Sequence, residues 1–300
     1  MTLVLGALQL GFVLGMLAMG IYITFRVLNV PDLTAEGSYT LGLVTSAVVT
    51  VAGHPYLAVL CAIIAGMLAG CVTGFLSTKM KIAPILAGII TLSGLYTVNL
   101  MIMGGDPVVS LFESNTIYKD AYALLPMLKK DVVKTIVGFL FSGVICVLVI
   151  LFFKTGIGLS IRAAGDNEDM VRASSINADG ARVLGLAIAN GLIASSGALY
   201  GQYIGTADVN AGAGMLIVGL ASVILGELIM GKRGIVQGVI SAVLGSVLYR
   251  GIITLVTGLH FLPSYATKIV SAVIVAAALS VPAIKSYISL KAKGGVKEDA

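Results

Sequence analysis

Residues 154–182, KTGIGLSIRAAGDNEDMVRASSINADGAR, form a charged, glycine-punctuated stretch between two strongly apolar segments, 132–153 and 183–204. It holds Asp166, Glu168, Asp169 and Asp179, four of the chain's 14 acidic residues, together with Lys154, Arg162, Arg172 and Arg182. Each flanking segment is long enough to cross a bilayer as a helix, whereas the stretch between them needs water. A hydrophilic loop in so oily a chain is where a membrane pathway would meet a protein that drives it.

Outward from this loop the apolar pattern repeats. The chain is 58% hydrophobic and 11% charged, against roughly 25% charged residues in a soluble domain. Apolar runs recur at 3–25, 35–52, 56–78, 82–103, 132–153, 183–204, 213–230, 235–256 and 267–284. The expected fold is all-α: a polytopic transmembrane helical bundle of eight to ten spans, built as a single domain over 1–300 and embedded in a lipid bilayer. A charge-free run of 25 residues precedes Arg26. A cleaved signal carries its basic residues before the apolar run, so 3–25 reads as a retained span.

The net charge of +5 reflects orientation and not affinity for nucleic acid. Arg26, Lys79, Lys81, the 154–182 loop, Lys232, Arg233 and the tail 285–300 all fall on one side if each span crosses once. Basic residues gather on the cytoplasmic side, which places the C-terminus in the cytoplasm. The count hinges on 35–52, a short run preceded by the polar stretch Asn29–Thr34. A broken or re-entrant helix there would itself mark a pathway, because irregular backbone at membrane depth must be buried in protein or line a cavity.

Two further patterns stand out. Gly66, Gly70 and Gly74 repeat every fourth residue, as do Gly197, Gly201 and Gly205, a spacing that lets helix backbones approach. Asp32-Leu33-Thr34-Ala35, followed by Ser46 and Val48, resembles Asp208-Val209-Asn210-Ala211, followed by Ser222 and Ile224. The two aspartates are expected on opposite sides, as in an inverted repeat.

Nothing in the sequence marks a catalytic centre. His54 and His260 are the only histidines and lack metal-ligand spacing, while Cys61, Cys71 and Cys146 all fall in apolar spans, so neither a metal nor a cofactor is expected. Gly226–Arg233 has the skeleton of a phosphate-binding loop, but Arg233 stands where a hydroxyl must reach Mg²⁺ and no strand precedes it. Any ATPase must therefore be a separate polypeptide. Among charges near the membrane, Arg250 either snorkels to the outer interface or meets a carboxylate, Glu227 is placed to neutralise Lys232 or Arg233, and Asp32 and Glu36 are placed to cap a half-helix or, less expectedly, to line the route.

The order Arg162-Ala163-Ala164-Gly165-Asp166-Asn167, then Ala173-Ser174-Ser175-Ile176-Asn177, then an apolar span with Ser195-Ser196-Gly197-Ala198-Leu199 resembles the signature of bacterial ABC-importer permeases of the branched-chain amino acid and ribose type. Ser175 stands where glycine is usual. Asn29–Gly37 is similar to a subfamily of tryptophan/tyrosine or uncharacterised import permeases. The resemblance implies a bacterial cytoplasmic-membrane subunit that works with a cytoplasmic ABC ATPase, an extracellular solute-binding protein and a second permease copy. It further implies a coupling helix over Asn167–Ile176, flanked by turns at Gly156, Gly158, Gly165 and Gly180. Arg162, Gly165, Asp166, Asn167, Glu168, Asp169 and Arg172 would be its coupling residues. The implied cargo is an amino acid, an aromatic one among the candidates, although sugar and nucleoside importers share the scaffold. A path lined from 35–52, 82–103 and 213–230 makes Thr45, Ser46, Thr91, Ser93, Asn99 and Ser222 its polar candidates, with Arg250 of 235–256 added to them. A stand-alone ion-coupled transporter is the competing class, and the scarcity of acidic residues at span centres argues against it.

Overall fold

The computed structural model describes residues 2–258 except 175–176 and 232–233, together with Ile269, Ala272, Val273, Val275, Ala276 and Ser280. The tail 285–300, His260, Lys232, Arg233, Ser175, Ile176 and most of the expected span 267–284 lie outside the described residues.

The chain opens with α1 (Thr2–Tyr22), whose last turn widens into a π-helical stretch at Ile23–Val27. There follow α2 (Thr34–Val51), α3 (Pro55–Thr78), α4 (Pro84–Ile102), β1 (Val108–Ser110), α5 (Ile117–Leu124) and α6 (Lys130–Phe153). The second half holds α7 (Gly156–Asp166), α8 (Glu168–Ala173), α9 (Ala178–Ile204), β2 (Thr206–Asp208), α10 (Met215–Met230) and α11 (Ile235–Gly258). Local chemistry fixes many of the ends. Pro55 and Pro84 start α3 and α4, where a missing N–H costs nothing. Thr116, Thr155, Asn167 and Asn177 each accept a backbone N–H at a helix start. Gly205 closes α9 in the left-handed region, φ 86°.

Eight of the nine expected spans coincide with helices, but they are not equivalent. Among the described residues, six stretches are long and apolar enough to cross a membrane: Leu3–Val27, α3, α4, α6, α9 and α11. The other two are shorter, α2 with 18 residues and α10 with 16.

α9 is the axis of the bundle. Its 27 residues extend about 40 Å, and it packs against α1, α2 and α3. Gly66, Gly70 and Gly74 serve that packing, as do Gly197 and Gly201, whereas Gly205 lies past the helix end beside Phe112. A Cβ at Gly66, Gly70 or Gly74 would run into the α9 residues Ala194, Leu186 or Val183, and one at Gly197 would overlap the Tyr39 carbonyl of α2. The α10–α11 contact repeats the device with Gly226 against Ser241 and Gly245 against Ser222. Without a hydrophobic drive between helices in lipid, such backbone-to-backbone contact supplies the association energy.

The 154–182 stretch departs from expectation. It is mostly helical, and Gly156, Gly158, Gly165 and Gly180 lie inside helices and not at turns. Gly158 and Gly165 are there for closeness: a side chain would overlap the Phe152 and Val27 backbones respectively. At the other end of α9, β1 and β2 pair antiparallel with Val109 opposite Ala207, and the Gly205 carbonyl accepts the Leu111 N–H at 2.8 Å.

Candidate translocation path and coupling surface

The break after α1 has a clear cause. Asn29 takes a left-handed conformation, φ 53°, which Asn tolerates better than most residues, and Pro31 cannot continue the preceding helix. Residues 28–33 then run back along α9. Leu28 packs against Gly185, and the Asp32 carboxylate accepts Asn190 Nδ2–H at 2.7 Å and its neighbour Thr34 N–H at 2.9 Å. Asn190 is the thirteenth of the 27 residues of α9, so α2 begins near the middle of the bundle. Asp32 and Thr34 are both buried, at 3% and 0% exposure. Thr34, Thr73 and Thr91 form a chain of hydroxyls at 2.7 and 2.9 Å across α2, α3 and α4.

α10 begins at the same place from the opposite direction. After β2 the chain turns inward until Gly212 lies against Thr40 and the Glu36 carbonyl. Glu36 Oε1 accepts the N–H of Gly214, the residue preceding α10, at 2.9 Å. The starts of α2 and α10, each the positive end of a helix, therefore meet at one half-buried carboxylate. Glu36 caps α10, whereas Asp32 holds the turn into its own helix.

The seven path candidates divide. Thr91 belongs to the hydroxyl chain, and Ser46 is buried between the Ala198 carbonyl and Gln202. Ser222 bonds its own helix at Val218 and packs on Gly245. Ser93 is exposed, as are Tyr96 and Thr97 beside it on α4. Thr45 Oγ1, Asn99 Oδ1 and Arg250 Nε are buried without a hydrogen-bond partner among the described residues. Arg250 pairs with no carboxylate among the described residues.

At the far end of α9 an ion network ties the 154–182 stretch together. Glu168 accepts from Arg172 at 2.7 Å and from Arg182 at 2.6 Å, Arg172 also pairs with Asp179, and Lys79 reaches Asp179 at 3.1 Å. The Arg172 hydrogen bond holds the Glu168 carboxyl below its ordinary range, with Arg182 adding to the effect. Glu168 and Arg172 thus brace α8 against α9. Asn167 separates α7 from α8 and caps the latter through Oδ1, 3.0 Å from Met170 N. Asp166, Asn167 and Asp169 are exposed, Arg162 is half-buried, and Gly165 presses on Val27 and Leu28.

Three features escaped the sequence. Met170, 57% exposed on α8, is an apolar side chain presented outward. Glu227 pairs with Arg26 at 2.5 Å, tying the end of α10 to the end of α1. Asn190, the partner of Asp32, sits in an apolar run and gives no local sign.

The family model for the branched-chain amino acid transport system permease component matches residues 3–279. The tyrosine transport system permease protein of Clostridioides difficile is 34% identical over 281 residues, 93% of this chain and 91% of that protein. The ribose import permease protein of Escherichia coli is 26% identical over 242 residues, 80% of this chain and 73% of its own length. The autoinducer 2 import system permease protein of Yersinia enterocolitica is 27% identical over 252 residues, 82% of this chain and 65% of its own length. No solved structure matches the chain. These matches agree with the helices long enough to cross a membrane and with the resemblance read from Arg162–Asn167, and the chain belongs to the branched-chain amino acid transport system permease family, whose members are membrane subunits of importers and not enzymes.

Proposed function

We propose that this chain is the translocating subunit of an ATP-driven importer for an amino acid, with an aromatic amino acid first among the candidates. A separate cytoplasmic ATPase seats α8, an extracellular binding protein delivers the solute, and a second copy of the chain completes the path. The whole of 1–300 acts as one domain, with the C-terminus in the cytoplasm.

The observation that carries this reading is the contact of Gly165 with Val27. Val27 ends the π-helical turn of α1, and the residues that follow lead to Asp32 and the start of α2. A push on α8, received through Asp166, Asn167, Asp169, Met170 and Arg162, would pass through α7 to that junction. It would then shift the re-entrant segment that positions Glu36. Rigid packing transmits such a displacement because packed interfaces are not continuously deformable. ATP must bias the two states through differential contacts at α8.

The path runs beside Glu36, between α4 and α10, with Ser93 and Thr97 on one wall. Thr45, Asn99 and Arg250 supply buried polar atoms without partners; Thr91, Ser46 and Ser222 hold the helices in place. Asp208 accepts the Asn210 N–H at 2.8 Å and Asp32 accepts the Thr34 N–H at 2.9 Å, the same two-residue geometry. Each precedes a short helix, which supports an inverted repeat across α2 and α10 and a count of at least eight spans.

The substrate follows the 34% identical relative, a tyrosine transport permease. A carboxylate at Glu36 and a guanidinium at Arg250 suit a zwitterion better than a neutral sugar. The ribose permease relative makes a sugar the second reading. Reconstitution with the ATPase and binding protein, followed by uptake of labelled L-tyrosine against D-ribose, tests both. ATP-dependent tyrosine uptake supports the first; ribose uptake alone supports the second; no uptake of either refutes both cargoes.

A further inference from the structure

At the end of α9 opposite α7 and α8, a cavity of about 300 Å³ opens between α5, the start of α6 and the end of α9. Its walls include Lys119, Lys130, Lys134, Tyr118, Tyr122 and Tyr203. None of the three lysines forms a salt bridge among the described residues, although Asp120 and Asp131 adjoin them in sequence. Lys130 and Lys134 occupy the first two turns of α6, the positive end of that helix, where a cation is disfavoured. Each is instead held over a ring, Lys130 over Tyr122 at 5.3 Å and Lys134 over Tyr203 at 4.6 Å. Ring contacts orient an ammonium and leave its N–H donors available. Lys119 Nζ spends two donors on the Phe112 and Ser114 carbonyls, at 2.6 and 2.7 Å, and keeps one.

Tyr118, 4% exposed, backs one wall, its hydroxyl buried in the protein and out of reach of a molecule in the cavity. Leu111, Phe112 and Ile204 add apolar surface beside the polar Thr116 and Gln202, and the volume suits one small molecule.

We infer that this cavity is a binding site for a small aromatic carboxylate. Its carboxylate takes hydrogen bonds from Lys130 and Lys134, and its ring lies against Tyr122 and Phe112. Gln202 links the site to the bundle: its Oε1 accepts Ile117 N–H at 3.0 Å, and its Nε2 donates to Ser46 of α2 at 3.2 Å and to the Pro55 carbonyl at 3.0 Å. An occupied cavity is thus one residue away from α2.

The test uses the full chain in nanodiscs, without ATPase, so it stands apart from the transport reading. Binding of 4-fluorobenzoate is followed by ¹⁹F NMR, with 4-fluorobenzyl alcohol as the neutral probe and inorganic phosphate as competitor. Wild type is expected to bind the carboxylate and not the alcohol. The double variant Lys130→Met with Lys134→Met should lose at least tenfold in affinity, with its unfolding temperature unchanged. Equal binding of the alcohol, no carboxylate binding at millimolar concentration, displacement by phosphate at equal concentration, or unaltered affinity in the double lysine variant would each overturn the assignment.

Discussion

Glu36, in the first turn of α2, accepts a hydrogen bond at 2.9 Å from the backbone N–H of Gly214, 178 residues away, where α10 begins. The contact joins two short helices that start deep in the bundle and run to opposite faces. A carboxylate held by backbone alone, beside the exposed polar side of α4, can bridge the helices and still present its second oxygen to a solute.

Glu36→Ala removes both the charge and the acceptor, whereas Glu36→Gln keeps a carbonyl acceptor. A charge-assisted bond of this kind contributes on the order of 1.5–3 kcal/mol. Thermal unfolding should drop more for Ala than for Gln. Uptake should fall in both, because the charge is gone in both. Wild-type uptake in Glu36→Gln would remove the carboxylate from the path.

Asn190→Leu takes away the side-chain amide that supports Asp32 at 2.7 Å. The buried carboxylate keeps only Thr34, and the cost is about 1–3 kcal/mol. Restoring neutrality with Asp32→Asn in the same chain should recover part of that loss in a thermal-unfolding comparison. An Asn190→Leu protein as stable as wild type would show that the turn at Asp32 needs no partner on α9.

Glu168 gives a pH signature. Its folded-state pKa lies below the ordinary glutamate value of 4.5, chiefly through the Arg172 hydrogen bond. The stabilisation it contributes is therefore complete above 4.5 and is lost as pH falls through the lowered folded value. Hydrogen exchange at Val171 and its neighbours should accelerate in that acid window. Glu168→Gln should show fast exchange at neutral pH and no further acid step there.

The architecture was largely legible in the sequence, because spans are a local property. A run such as 132–153 is marked as a span by its own composition, and Asn29–Pro31 announced the break before α2. Long-range pairs were not legible. Glu227 meets Arg26, 201 residues away, a partner that proximity does not suggest, while its expected neighbours Lys232 and Arg233 lie outside the described residues. Likewise Asp32 finds Asn190 across 158 residues. The glycines of 154–182 misled in a different way. Gly165 can signal a turn or a close approach, and only its neighbour Val27 decides between them. The pairing of Glu168 and Arg172 with Arg182 and Asp179 was hidden for the same reason.

Gly165→Trp, or charge reversal at both Arg162 and Asp166, should abolish uptake while leaving membrane insertion intact. Gly165→Ala is the milder form, because even a methyl group overlaps the Val27 carbonyl. Ala at 165 should separate α7 from the α1 end and uncouple ATP hydrolysis from transport, which is read as ATPase activity retained with uptake reduced at least tenfold.

The most direct measurement is co-purification of the full chain with its ABC ATPase in mild detergent, comparing wild type with Met170→Asp and Asp169→Arg in one chain. Stoichiometric ATPase on wild type and its loss from the α8 variant, with the variant still inserted and folded, is the predicted result. Wild type that holds no ATPase, or an α8 variant that holds it as tightly as wild type, would contradict the assignment of α7 and α8 as the surface through which this permease is driven.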